Sequence, residues 1–397
     1  MDAPTGSARL RATRLAAHGL DRGGSLSSPA EVVERLGAIQ AQDLAAAKWA
    51  IGARIRGSVE AEVDAAIDRG EIVRTWPFRG TLHFVPPARL RPFLALTAER
   101  MHRAEQARRV ELGLDDDVTY STARRVAEQL LAGGPATRDE LYRAWEIAGL
   151  STDGQRGYHL IGRLARDAVV CLGPVEGREQ QFALVEEWVP SSFAPVDRDE
   201  LLAALVTAYF RGHGPATERD AAWWAGLTLG DIRTGIAAAG DAVIPFDDRH
   251  WVTAEPGEGA PSPADANDAD PTVAESRAPR PSGRLALAAF DEYFIGYADR
   301  SPVCAPSFAP RVVPGGNGVF RPILVDAGRV VGTWRRRDAT ARVSLGSGRD
   351  RPRSTVVTVE PFDGRAEPND YARALASWAR FRGVPVSGVV TADGTAS

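Results

Sequence analysis

Gln40 and Gln42 stand one residue apart at the end of an apolar helical stretch, with Leu36 and Ile39 before them and the alanines 45–47 after. A primary amide is neutral and offers both a carbonyl acceptor and N–H donors, so it can orient a water molecule or hold a dipole against a developing charge. Asp43 follows directly. It could add negative potential to such a centre or cap a helix over 44–51. On an α-helix, residues i and i+2 point about 200° apart, so two amides at that spacing could not serve one centre. A helix read over 29–39 must therefore end near Gln40 if both amides act together. The plainer alternative is that one glutamine caps the helix and the other is solvated.

Other chemistries find no matching residues. The sequence has no phosphate-loop motif, no dinucleotide glycine fingerprint after a strand, no serine nucleophile elbow and no two-histidine metal helix. Gly315-Gly316-Asn317-Gly318 leads into a strand, as a loop does. Cys171 and Cys304 are the only cysteines and have no zinc spacing, so a metal- and cofactor-free protein of the reducing cytosol is expected. No apolar run approaches the roughly 18 residues of a membrane helix, and the first ten residues lack a secretory apolar core. The net charge of −4 argues against a strongly basic nucleic-acid binder, but its distribution is uneven. Residues 1–110 carry 17 basic against 12 acidic side chains, and Arg89, Arg91, Arg100, Arg103, Arg108 and Arg109 form a basic run. A local basic face is enough for phosphate contact. Lys48 is the only lysine, a bias that reads as GC-rich coding and not as a DNA-binding signal.

The elements that must position these residues show an internal repeat. Gly134-Pro135-Ala136-Thr137-Arg138-Asp139-Glu140 recurs 80 residues later as Gly214-Pro215-Ala216-Thr217-Glu218-Arg219-Asp220. Each copy follows an apolar helical segment and opens another helix, with Thr137 and Glu140 at capping-box positions and Thr217 with the shorter Asp220 repeating them less well. The first unit reads as helices over 120–132, 138–148 and 153–167, then strands over 168–172 and 181–185. The second reads as helices over 198–211, 218–225 and 229–238, then strands over 242–245 and 250–253. Three helices closed by a hairpin is the winged-helix plan. Residues 8–110 fit it with helices over 9–19, 29–39 and 60–68, a hairpin over 71–76 and 79–85, and a long helix over 87–111. The expected fold is α+β, with winged-helix domains over 8–115, 116–195 and 196–253. A Pro/Ala/Asp-rich flexible linker over 254–283 follows, then a β-rich domain over 284–390. That last domain carries strands over 285–290, 319–325, 329–334, 341–345 and 355–361 and a helix over 368–382, with a frayed end after about 390.

Three further segments accompany the glutamine pair in chain order. Residues 74–85 contain Arg79-Gly80-Thr81-Leu82-His83, residues 289–300 contain Phe290-Asp291-Glu292-Tyr293, and residues 330–336 contain Gly332-Thr333-Trp334-Arg335-Arg336. Together with Gln40-Ala41-Gln42 they resemble the AlkZ/YcaQ family of winged-helix bacterial DNA glycosylases over roughly 8–385, apart from 254–283. The Gln-x-Gln form sorts the chain with the AlkZ-like branch, although Ala41 is small for its middle residue. The resemblance implies tandem winged helices curved around duplex DNA and excision of N7- or N3-alkylated purines, in some members with unhooking of interstrand crosslinks. It implies Gln40 and Gln42 as the catalytic residues; electrostatic support from Asp43 is expected from its position beside them and not from the resemblance.

For DNA contact, Arg79, Thr81 and His83 are expected to alternate along one strand and share a face. Arg156, His159 and Arg163 fall on one side of a helix at intervals of three and four. Arg335 and Arg336, with Arg337, follow the end of a strand. Each has a solvated-surface alternative. The partner expected is double-stranded DNA containing alkylated purines, met by a monomer in the cytoplasm. The competing readings are a non-catalytic winged-helix transcriptional regulator and a protein-interaction scaffold.

Overall fold

Residues 6–21, 24–177, 179–189, 196–254, 283–316, 318–338, 355–364 and 367–391 are described by the computed structural model of the chain. The stretch read as a linker, apart from its two end residues, and the strand expected over 341–345 lie outside the described residues. Helices α1 (Gly6–Ala17) and α2 (Pro29–Leu36) lead to a two-residue strand, β1 (Ile39–Gln40). Then come α3 (Leu44–Gly52), α4 (Glu60–Asp68), the hairpin β2 (Val73–Phe78) and β3 (Thr81–Val85), and the long α5 (Pro87–Glu111). Next are α6 (Asp117–Leu131), α7 (Arg138–Ile147) and α8 (Arg156–Arg166), closed by β4 (Val170–Glu176) and β5 (Glu179–Leu184) and a one-turn α9 (Val185–Trp188). The pattern returns in α10 (Arg198–His213), α11 (Glu218–Ala225), α12 (Leu229–Ala239), β6 (Val243–Pro245) and β7 (Trp251–Thr253). The C-terminal part holds β8 (Arg284–Leu287), the short helices α13 (Glu292–Ile295) and α14 (Ala309–Val312), β9 (Ile323–Asp326), β10 (Arg329–Asp338), β11 (Thr355–Pro361), α15 (Ala372–Phe381) and β12 (Val386–Thr391). The fold is α+β.

The 80-residue repeat is structural as well as textual. Thr137 and Thr217 each accept the backbone N–H three residues on, at 3.2 and 3.1 Å, and Glu140 and Asp220 reach back to the Thr N–H at 2.8 and 3.0 Å. Asp220 closes its capping box despite its shorter side chain. In each copy the alanine before the Thr pairs with the hairpin that ends the unit: Ala136 with Phe182 and Ala216 with Trp251, both antiparallel. The sheet order β1-β3-β2-β4-β5 shows the first two hairpins joined, Arg74 standing opposite Leu172, so hydrogen bonding continues across residues 115/116. The second large sheet runs β12-β11-β10-β9-β8, antiparallel except between β11 and β12.

The N-terminal helices pack on this second sheet. Ile39, Ala41, Trp49 and Val63 share one core with Ala286, Trp334, Val357, Trp378 and Phe381. The Trp49 indole N–H donates to Ala286 O at 2.9 Å, and its ring meets Phe381 at 5.3 Å between centroids. Beside that core lies an ion pair with both side chains fully buried: the Arg54 guanidinium donates to both oxygens of Asp291, at 2.9 and 3.0 Å. Its remaining N–H groups go to Ala50 O, His18 O and His18 Nδ1, at 2.6, 2.9 and 3.3 Å. His18 Nε2 lies 2.9 Å from Tyr297 Oη, and that hydroxyl donates to His213 O at 2.8 Å. No described helix is long and apolar enough to cross a membrane.

A buried pair that loses one partner leaves an uncompensated charge, whereas an exposed pair contributes little. Arg54→Met is therefore expected to lower the unfolding free energy by about 3–5 kcal/mol, read by urea titration. Arg103→Met, on the exposed Arg103–Glu99 pair, is expected to leave the urea midpoint in place.

Candidate active site

The glutamine segment leaves its helix earlier than its apolar pattern suggests. Ser28 caps α2, and Val32, Val33 and Leu36 are its buried face. The helix stops at Gly37, whose φ of +74° is a left-handed value that favours glycine, and a Cβ there would lie 3.2 Å from Ala208 Cβ. The helix expected over 29–39 thus ends at Leu36, and Gln40 sits in a strand opposite His83. Ala41 continues the pairing, its N–H donating to Leu82 O at 2.7 Å. Ile39 and Ala41 are buried in the core, and Gln40, at the end of the strand, and Gln42, in the bend after it, flank Ala41. Asp43 caps α3, its carboxylate accepting the Ala46 N–H at 3.0 Å.

Each part of the segment is fastened. Gln40 is 9% exposed, while Gln42 is exposed. Gln42 Oε1 accepts from the Leu82 N–H at 3.3 Å. Arg74, buried, donates to Ala41 O at 2.8 Å, Gln42 O at 3.4 Å and Gln180 Oε1 at 3.1 Å, so β5 of the next unit braces the segment. Burial lowers the Arg74 guanidinium to about 10 against the opposing pull of Asp43. Gln40 Oε1 accepts from Arg79 at 3.3 Å. The Gln40 N–H donates to Glu292 Oε1 at 2.7 Å.

Glu292 is 1% exposed. Its second oxygen accepts from the Trp224 indole at 3.1 Å and lies 3.3 Å from His213 Nε2. The other ring nitrogen of His213 lies 3.1 Å from Tyr209 O, and the Tyr209 and His213 rings stack at 4.6 Å. Burial works to raise the carboxyl pKa of Glu292. The His213 hydrogen bond and charge, His83 and the Gln40 N–H outweigh it and hold the group below the usual range, so it is an anion.

The structure revises several contacts expected from sequence. Arg79 does not share a strand face with Thr81 and His83. It occupies the turn at φ +53°, its ring partner is Trp223 at 4.5 Å, and its N–H groups go to Trp223 O, Trp224 O and Gln40. The alternation read along β3 fails there because the strand begins only after Gly80. Thr81 is half-buried and donates its hydroxyl to Phe78 O at 3.2 Å. His83, expected to reach the nucleic acid, is completely buried, so it cannot touch a phosphate. Its Nδ1 lies 2.9 Å from Thr81 O, and because a carbonyl only accepts, that nitrogen carries the proton. Burial, reinforced by the charge of Arg79, lowers His83 to about 4 although Glu292 and the Thr81 carbonyl pull upward.

Arg156, His159 and Arg163 do share one side of α8, but all three are half-buried and held by neighbouring groups. Arg156 is held by Leu112 O and Ser151 O, His159 faces Glu105 at 3.7 Å, and Arg163 lies 3.7 Å over the Tyr120 ring. Arg335 and Arg336 are exposed as expected, but within β10 and not after it, and as neighbours on a strand they point to opposite faces. Lys48 is buried, its ammonium held by Asp64 and, at 3.7 Å, by Glu60. Beside Arg79 an open groove of about 710 Å³ is lined by Arg100, Met101, Trp223, Gly226 and Leu229.

Glu292 and Arg74 are the residues that sequence reading left without a role. Both stand in segments it singled out. An acid within Phe290–Ile295, all but one of whose residues are buried, is a legible sign of a buried charge that needs partners.

A family model described as DNA glycosylase AlkZ-like matches residues 33–381. The chain belongs to that family. It is 26% identical over 319 residues, 77% of this chain and 82% of the relative, to a Streptomyces sahachiroi protein named interstrand DNA cross-link repair glycosylase. Its fold is that of the solved Streptomyces sahachiroi DNA glycosylase AlkZ, with a TM-score of 0.75 at 23% identity, covering 98% of this chain and all of that one.

His83 generates a pH prediction. Folded, its ring stays neutral down to about pH 4, whereas in the unfolded chain it takes a proton below about 6.5. The unfolded state binds more protons between those values, so this contribution to stability is complete above about 6.5 and lost as pH falls towards 4. His83→Asn is expected to reduce the drop in unfolding free energy between pH 7 and pH 4.5 by on the order of 2 kcal/mol. His18, buried and likewise lowered, still contributes slope in the variant. Equal pH slopes for the two proteins in urea titrations would contradict the assignment.

Proposed function

We propose that this protein is a monofunctional DNA glycosylase that hydrolyses the N-glycosidic bond of N7- or N3-alkylated purines in duplex DNA, bulky adducts and interstrand crosslinks included. One observation carries the reading: Gln40 and Gln42 both stand outside α2, in the strand and in the bend just after it, each amide oxygen met by a single donor, and Gln40 is fastened to a buried anion. Membership of the AlkZ-like family and the name of the Streptomyces relative support it.

The chemistry asks little of the base. An alkylated purine already carries positive charge, so it departs as a neutral molecule when the C1′–N bond breaks and the bonding electrons pass to the ring. Water adds to the oxocarbenium carbon left behind and releases one proton to solvent. The protein must place that water and stabilise the cationic sugar, both of which preorganised dipoles can do. Each glutamine oxygen has one donor, Arg79 for Gln40 and the Leu82 N–H for Gln42. A carbonyl oxygen has two acceptor sites, so each keeps one for water. Asp43, committed to capping α3, contributes its negative charge from the side. The ion-paired Lys48 supports hydrolysis over Schiff-base chemistry, since an ammonium in that setting is no nucleophile.

The two units with three helices, a hairpin and an alanine bridge support the winged-helix plan over 116–195 and 196–253, and we place them between an N-terminal domain over 8–115 and a β-rich domain over 284–390 in a protein that meets duplex DNA as a monomer. The exposed Arg335 and Arg336 are the DNA contacts we retain from the sequence reading.

The test is single-turnover release of N7-methylguanine from duplex DNA. Gln40→Ala and Gln42→Ala are each expected to slow it by about 10²-fold, the usual loss for one positioned polar group. No release by the wild type from methylated, bulky-adduct or crosslinked DNA would contradict the glycosylase reading. Wild-type rates in the double variant would contradict the site.

A further inference from the structure

We infer that Glu292 is a positioning residue for this cleavage, holding Gln40 by its backbone N–H and keeping a fixed negative charge behind the reacting sugar. The inference rests on the glycosylase reading above. β1 is the outer strand of its sheet, so the Gln40 N–H has no strand to donate to, and Glu292 Oε1 takes it at 2.7 Å. The side chain of Gln40 is held by Arg79, whose positive charge is balanced by that of Glu292. The carboxylate thus fixes the backbone of the glutamine whose side chain Arg79 holds.

A carboxylate taken out of water is retained only if its oxygens are fully met, and an apolar residue of similar size would stabilise a core more simply. Here three N–H groups from three elements converge on it: Gln40 from β1, His213 from the end of α10 and Trp224 from α11. His83, Arg79, Tyr209 and Tyr297 complete its charged and titratable surroundings. None of these contacts an alkylated base in the scheme above. Their common effect is to keep the anion in place beside the glutamine pair, where a cationic sugar forms. A charge fixed before the reaction needs no reorganisation in the transition state, which is where such groups act most strongly.

Glu292→Gln removes the charge and cannot repeat the hydrogen bonds, because its NH₂ must meet an N–H donor whichever way it turns. Glu292→Asp keeps the charge and withdraws it from Gln40 by one methylene. Three quantities are read for each: single-turnover release of N7-methylguanine, dissociation constant for duplex DNA and melting temperature. A positioning role predicts that Glu292→Gln slows release at least tenfold with DNA affinity within twofold of wild type, and that Glu292→Asp falls between the two. Release slowed less than tenfold in both variants overturns the inference. So does a parallel loss of rate, affinity and melting temperature in both, which would make Glu292 a support of the fold alone. If Glu292→Gln does not fold, Glu292→Asp decides by the same criteria. Failure of the underlying reading looks different: the wild type releases no base, or Gln40→Ala matches it.

Discussion

An ionised carboxylate that is 1% exposed must find every donor it needs inside the protein, and at Glu292 that requirement organises the molecule. Its partners come from β1, α10 and α11, so the strand carrying Gln40, those two helices and the short helix α13 have to meet at one point. The neighbouring Asp291 makes the same demand on Arg54, and through His18 and Tyr297 the two networks join behind the site. The Asp291-Glu292 pair is thus the hinge of the architecture: one carboxylate anchors the N-terminal helices and the other anchors Gln40.

Much of this was legible in the sequence, and the misses have definite physical origins. The repeated Gly-Pro-Ala-Thr units read correctly because capping and hairpin closure are local. The apolar spacing of α2 runs on through Ile39, three residues past its end at Leu36, although Gly37 is an ordinary stop signal. Gln40 and Gln42 both stand outside the helix, the first in a strand and the second in the bend that follows it. Arg79 was assigned to a strand face because alternation was carried back through the turn at Gly80.

Which side of a helix or strand faces water is a tertiary property. The spacing of Arg156, His159 and Arg163 correctly predicts one face. Nothing in the spacing says that α5 and α6 cover it. His83 likewise fell on the buried side of its strand, where it became a neutral, low-pKa neighbour of Glu292. Glu292 itself stood in a segment singled out by family likeness, but its role depends on partners 68 to 252 residues away.

The central claim is that a paired set of neutral amides, fixed against a buried anion, stabilises a cationic sugar. The most direct measurement compares the affinity of the protein for duplex DNA bearing a cationic pyrrolidine in place of one deoxyribose with its affinity for the neutral tetrahydrofuran analogue. The account predicts at least tenfold tighter binding of the cationic duplex, a preference that disappears when Gln40 and Gln42 are both alanine. Equal affinity for the two duplexes, or a preference that survives the double substitution, would contradict it.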